Sequence, residues 1–187
     1  METNRVKIRI YDTQFAHGTA LGSGDLKIFP DNFIWTRSND SSFSNLCFVT
    51  ESCFHEINGI RELNKIALLI EPISIDSTHY SMARNPEFQK KFDFILTHNQ
   101  QLIDTNPEKF IFYPFMGCWI KLEDRKVYEK TKDLSIVASD KRMTLGHKLR
   151  HEVIAKYKNK IDGLFGNGYQ FVQNKIEGLK DATRIQT

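Results

Sequence analysis

The chain has 187 residues, 40% of them hydrophobic and 26% charged, with 14 phenylalanines and a net charge of +3. That length buries a substantial core, as one domain or a domain and a fraction, and so apolar and aromatic a composition excludes disorder over most of it. A charge this close to balance does not indicate nucleic-acid binding, though it suits an anionic small molecule.

In chain order, residues 6–11 (VKIRIY) alternate polar and apolar before Asp12 and read as a first strand. Residues 13–31, rich in Gly and Asp, read as loop, and 33–35 as a short strand. A polar loop at 38–44 precedes a buried strand at 45–50 (NLCFVT) and a short helix at 54–63. Residues 65–70 (KIALLI) form a compact apolar run closed by Glu71-Pro72, the pattern of a parallel strand buried on both faces. Pro72 ends it because proline cannot donate to a ladder. Helices are expected over 76–83, 86–92 and 99–103, and strands over 93–97 (DFILT) and 109–113.

The run KLEDRKVYEKTKD, residues 121–133, is charged and polar enough to be a solvated linker. A second unit follows: a strand at 134–138 (LSIVA), a loop at 139–146 and a helix at 147–158 with Leu149, Val153, Ile154 and Tyr157 on one apolar face. A strand at 161–165 and the turn GNGY, residues 166–169, complete it; 171–181 hold a few more apolar positions before a polar tail. Alternating strands and helices of these lengths predict an α/β protein: a doubly wound Rossmann-like domain at 1–120, the linker at 121–133, and an incomplete second Rossmann-like unit at 134–187.

The three cysteines, Cys47, Cys53 and Cys118, are odd in number and form no CxxC pair, so buried thiols in a reducing compartment are expected rather than disulfides. Cys53, His55 and Glu56 are close in sequence, but no second ligand pair of metal-site spacing follows, and no metal is expected. The N-terminal METNRVKIRIYD has no signal-peptide core, and no stretch approaches the roughly 20 apolar residues of a membrane span. A cytoplasmic location is the expectation.

Glu71 is a candidate functional carboxylate because ligands of open α/β sheets collect at the carboxyl ends of strands. Asp76 and His79 are nearby substitutes. Arg150 on the 147–158 helix has the planar fork that suits bidentate phosphate contact. Lys148 and Lys141 are weaker cations, and Ser139 can donate to a phosphate oxygen from its turn. His147 and His151 read as surface histidines. Gly166 and Gly168 resemble a phosphate loop only weakly, since a plain turn explains them. Trp35 and Trp119 are expected in packing rather than stacked on sugar.

Two strings carry a family resemblance. KIALLIEP, residues 65–72, is similar to the strand bearing the acidic motif of α-1,3-fucosyltransferases and their relatives. SIVASDKRMTLGHKLRHEVIAKYKNKIDGLFGNGY, residues 135–169, resembles the opening of the same family's donor domain, with Asp140 where that family has asparagine. The resemblance covers about residues 65–181. It implies a glycosyltransferase of GT-B type, with two Rossmann-like domains across a cleft. A glycan acceptor is implied on the first domain and a nucleotide sugar, usually GDP-fucose, on the second, with inverting transfer and no catalytic metal. Glu71 is implied as the catalytic base, and Arg150, Ser139 and Lys148 as contacts to the donor diphosphate. The family's later donor motif, a Phe- and Glu-Asn-rich strand before a Thr-Glu-Lys helix, does not follow Asp181. A truncated chain is therefore expected, with a partner chain a possible source of the rest. The other readings are a non-catalytic carbohydrate-binding remnant and a generic nucleotide-fold interaction module.

Overall fold

In the computed structural model, residues 6–13, 32–37, 44–114 and 126–169 are described. The apolar runs of the first half pair side by side as β1 (Val6–Tyr11), β2 (Phe33–Thr36), β3 (Leu46–Thr50), β4 (Asn64–Leu69), β5 (Phe94–Thr97) and β6 (Phe110–Phe112). They form one sheet in the order β2-β1-β3-β4-β5-β6, and every pairing is parallel. This is the α/β architecture expected from the sequence, compatible with a Rossmann-like fold.

A parallel sheet needs apolar cover on both faces, and its strands alternate accordingly. Cys47, Val49, Ala67, Leu69 and Ile95 share one buried cluster with Phe54, Ile57, Tyr80, Phe88 and Leu102 from the connecting helices. Ile10, Trp35 and Leu68 form the other cluster, with Phe33, Phe48 and Ile70 packed against it. Trp35 is thus a core residue, its ring edge-on to Phe33 and Phe48 at 5.1 and 5.2 Å. Trp119 lies outside the described residues.

The helices on the first face are short and individually capped. Asp76 caps α1 (Ser77–Arg84), Asn85 caps α2 (Pro86–Gln89) with Pro86 at its first position, and Asn99 caps α3 (Gln100–Thr105). Each side chain takes an N–H that the first turn leaves without a partner. The helix expected at 54–63 is instead a 3-10 helix, Glu51–Gly59, that starts directly off β3. The tighter winding suits a short connector, and it buries Glu51, Cys53, Phe54 and Ile57. The helix expected at 86–92 stops at Gln89, and Phe92 turns into the core.

Register aligns the strand ends. Tyr11 pairs with Val49, Thr50 with Leu68, and Leu69 with Thr97. The carboxyl ends of β1, β3, β4 and β5 therefore lie along one edge, and the residues just beyond them share it.

The chain divides into two compact units, Met1–Cys118 and Trp119–Thr187. In the second, β7 (Ser135–Val137) and β8 (Gly163–Phe165) pair in parallel around α4 (Leu145–Tyr157), the expected strand–helix–strand unit. The linker meets it through Asp162, whose Oδ2 accepts the N–H groups of Asp133 and Leu134 at 3.0 and 3.1 Å. Two expectations for α4 fail. It starts at Leu145 rather than His147, because Thr144 and His147 close a reciprocal capping box. Its inward stripe is Ile154 with His151, whereas Leu149, Val153 and Tyr157 are exposed. Among the described residues the sheet beneath α4 is two strands wide, a strip too narrow for the whole apolar arc. Expectations for residues 14–31, 38–43, 121–125 and 170–187 fall outside the described residues. Among the described residues no helix is long and apolar enough to cross a membrane.

Cys47 and Cys53 are free and buried. Burial pushes the Cys47 thiol up to about 12 and raises that of Cys53 as well. Both are therefore expected to resist iodoacetamide in the native chain at pH 8 and to react fully in denaturant, followed residue by residue by mass spectrometry. Rapid native labelling of either would contradict this core.

Candidate functional site

In the strand order, β2 lies on one side of β1 and β3 on the other, so successive connections reverse direction between β1 and β3. Outside the carboxyl ends at such a switch point is where open α/β sheets bind ligands. The residues there are polar and tied together. The Asp12 side chain is fully buried; its Oδ2 accepts from Arg37 Nη1 at 3.2 Å, and its Oδ1 lies 3.1 Å from Thr50 Oγ1. Thr50 Oγ1 is also 2.9 Å from Ser52 Oγ, which accepts the Thr13 N–H at 3.3 Å. This cluster ties the exits of β1 and β3 together and holds a guanidinium beside them.

One strand further along stands Glu71, two residues past the end of β4. Its main chain is held from both sides. The Glu71 N–H donates to Glu51 Oε1 at 2.7 Å, and its carbonyl accepts from Tyr80 Oη at 2.8 Å. Glu51 Oε2 takes the neighbouring Ile70 N–H at 3.1 Å. Glu51 is only 2% exposed, so both oxygens of a buried carboxylate are spent on the exit of β4. The Glu71 carboxylate itself is partly exposed and meets no hydrogen-bond or ion-pair partner among the described residues.

Beyond Glu71, the Ile75 and Asp76 N–H groups close a turn onto the Pro72 carbonyl at 2.8 and 3.3 Å. That turn delivers Asp76 to the start of α1, where its Oδ1 accepts the Thr78 N–H at 2.8 Å. The other oxygen lies 3.2 Å from His79 Nδ1. The Thr78 amide, and more weakly His79, hold the Asp76 carboxyl below its ordinary range. Three titratable side chains thus leave the sheet within one strand-to-helix connection.

The second unit brings its two turns together. The Ala138 N–H donates to Phe165 O at 2.8 Å and the Asp140 N–H to Asn167 O at 2.9 Å, so the Ser139 turn lies against the GNGY turn. Gly166 has φ +115°, and a Cβ there would sit 1.9 Å from the Ala138 carbonyl oxygen. Glycine is required at Gly166 by both backbone and space. His151, expected at the surface, is buried and locks the same corner: Nε2 is 3.1 Å from the Lys141 carbonyl and Nδ1 2.7 Å from Tyr169 Oη. The carbonyl can only accept, so the tautomer carries its proton on Nε2 and the tyrosine donates to Nδ1.

Ser139 stands two residues past the end of β7, which closes at Val137 rather than at residue 138. Arg150 is the sixth residue of α4 and so lies in its second turn, partly exposed, with Lys148 exposed nearby. No described residue pairs with the Arg150 guanidinium. No hydrogen bond or ion pair among the described residues joins the Arg150 or Lys148 side chain to the Ser139 turn. Cys53 points into the core, whereas the His55 ring is 74% exposed with its Nε2 3.6 Å from Glu56 Oε1.

Sequence reading missed Asp12, Arg37, Thr50, Ser52 and, most consequentially, Glu51. The available signal was positional: Tyr11-Asp12 and Thr50-Glu51-Ser52 each place polar residues immediately after an apolar strand. Which of those ends adjoin is set by strand order, which the strings do not carry.

Comparison with protein-family models, curated proteins and solved structures finds no match for the chain.

Proposed function

We propose that this chain is a fucosyltransferase-like glycosyltransferase of GT-B type, transferring a sugar from a nucleotide sugar, GDP-fucose first among candidates, to a glycan hydroxyl with inversion. The observation that carries the reading is the presentation of Glu71. It is a carboxylate at the carboxyl-end edge of a parallel sheet, one strand from the switch point, with its main chain fixed by Glu51 and Tyr80. The strings KIALLIEP and SIVASDKRMTLGHKLRHEVIAKYKNKIDGLFGNGY support it by their resemblance to that family.

In this reaction the acceptor oxygen forms a bond to the anomeric carbon while the bond to the diphosphate oxygen breaks. The hydroxyl proton passes to Glu71, and the diphosphate leaves with the electron pair. Arg150, Lys148 and the Ser139 hydroxyl, all in the second unit, meet the charge that grows on the diphosphate. The partly exposed, unpaired guanidinium suits that task, because a planar fork matches two phosphate oxygens.

The test is a transfer assay with GDP-fucose and acceptors containing galactose or N-acetylglucosamine. Glu71→Gln removes the proton acceptor with little change of shape, and its expected effect is a loss of roughly 10²- to 10⁴-fold in kcat. Wild-type rates in that variant, or a wild-type chain that neither transfers nor binds the nucleotide sugar by calorimetry, would sink the reading.

A further inference from the structure

We infer that Phe112 is the platform for a second sugar ring of the acceptor, so that this edge takes an oligosaccharide rather than a single sugar. The inference rests on the sugar-transfer reading of Glu71 given above. Phe110, two residues earlier on β6, is buried in the helix-side cluster together with Leu102 of α3. Alternation along the strand puts Phe112 on that same side of the sheet. Yet the helix cover stops short of it, and 59% of the residue meets solvent. Ile111 and Tyr113 beside it are exposed as well, so the outer end of the sheet is apolar and open. A phenyl ring has no polar tip to turn towards water, and its exposed face suits an apolar partner.

Register decides what that ring can serve. Leu69 pairs with Thr97 and Thr97 with Phe112, so the three stand level across β4, β5 and β6. Glu71 lies two residues beyond Leu69, and its carbonyl is held by Tyr80, which belongs to the helix-side cluster. Two strand spacings separate β4 from β6, about 10 Å. That is the reach of two linked pyranose rings: one presents its hydroxyl to Glu71, and the next lies over Phe112. A pyranose carries its hydroxyls around the rim and C–H groups on its faces. Such a C–H face stacks on a phenyl ring, whose own face is electron-rich. The platform is held in place, because the Tyr113 N–H donates to the Thr97 carbonyl at 2.9 Å just past the strand. Trp35 cannot take this role, since its ring is packed against Phe33 and Phe48 in the core.

Binding and transfer by the full chain test this separately. The probes are N-acetylglucosamine alone and a disaccharide of galactose and N-acetylglucosamine. In NMR titrations, Phe112→Ala should weaken the disaccharide about tenfold, the size of a lost stacking contact, and leave the monosaccharide unchanged. Phe112→Tyr keeps the ring and should keep the affinity. Tyr113→Ala, on the other side of the strand, should change neither probe. In the GDP-fucose assay, Phe112→Ala should raise the KM for the disaccharide by the same factor with kcat unchanged. Wild-type affinity of Phe112→Ala for the disaccharide, or an equal loss for both probes, overturns the inference while leaving Glu71 and sugar transfer standing. Phe112-dependent disaccharide binding in a chain without transfer keeps the platform and removes the reaction instead. A wild-type chain that binds neither probe removes both.

Discussion

Replacing Glu51 with alanine is expected to destabilise the first unit by about 2–5 kcal/mol, because two buried amide donors, Ile70 N and Glu71 N, lose their acceptors at about 1–3 kcal/mol each. No water easily takes their place, since Glu51 is sealed at the junction of β3 and β4. The same change should release the strand end that presents Glu71, so any transfer activity falls with it. Glu51→Gln should be milder, since one amide oxygen still accepts while the amide nitrogen opposes the second N–H. Urea unfolding gives the stability change, and hydrogen exchange at Ile70 and Glu71 gives the local one. A chain with Glu51→Ala that unfolds at the wild-type midpoint, with those two amides still protected, would show that the carboxylate does not hold this edge.

The second large effect is expected at Gly166. Alanine there must tolerate φ +115° and place Cβ 1.9 Å from the Ala138 carbonyl oxygen, which is backbone and cannot swing aside. The expected cost is about 2–4 kcal/mol, confined to the strand–helix–strand unit. Hydrogen exchange should report it through the Ala138 and Asp140 amides, which bridge the two turns. Gly59→Ala is the natural control: its added Cβ meets nothing within 4 Å, and its φ is not positive. Equal losses at Gly59 and Gly166 would refute the role of close approach.

Glu51 and Gly166 differ in how far their roles are legible in the sequence, and so do the elements around them. Strands such as KIALLI and DFILT were legible because a strand buried on both faces must be apolar throughout, and Pro72 marks where it stops. Asp76 and Asn99 were readable as boundaries for a similar local reason, since a helix start needs an acceptor for its first amides. His151 and Leu149 were misread because their periodicity says which residues share a helical face, not how wide a surface that face meets. Glu51 could not be read as an anchor at all. Its partners are 19 and 20 residues away and belong to the next strand.

The sequence by itself determined an α/β chain with parallel strands, a carboxylate at the end of β4 and a glycine-dependent turn after β8. All of these follow from short-range rules of burial, proline and backbone sterics. Only the tertiary structure decided that β1 and β3 are neighbours, that Asp12, Arg37 and Thr50 meet there, and that a buried carboxylate on one strand fixes the exit of another. Those outcomes depend on strand order and register, and hydrogen bonds between residues distant in the chain exist only once the sheet has brought them together.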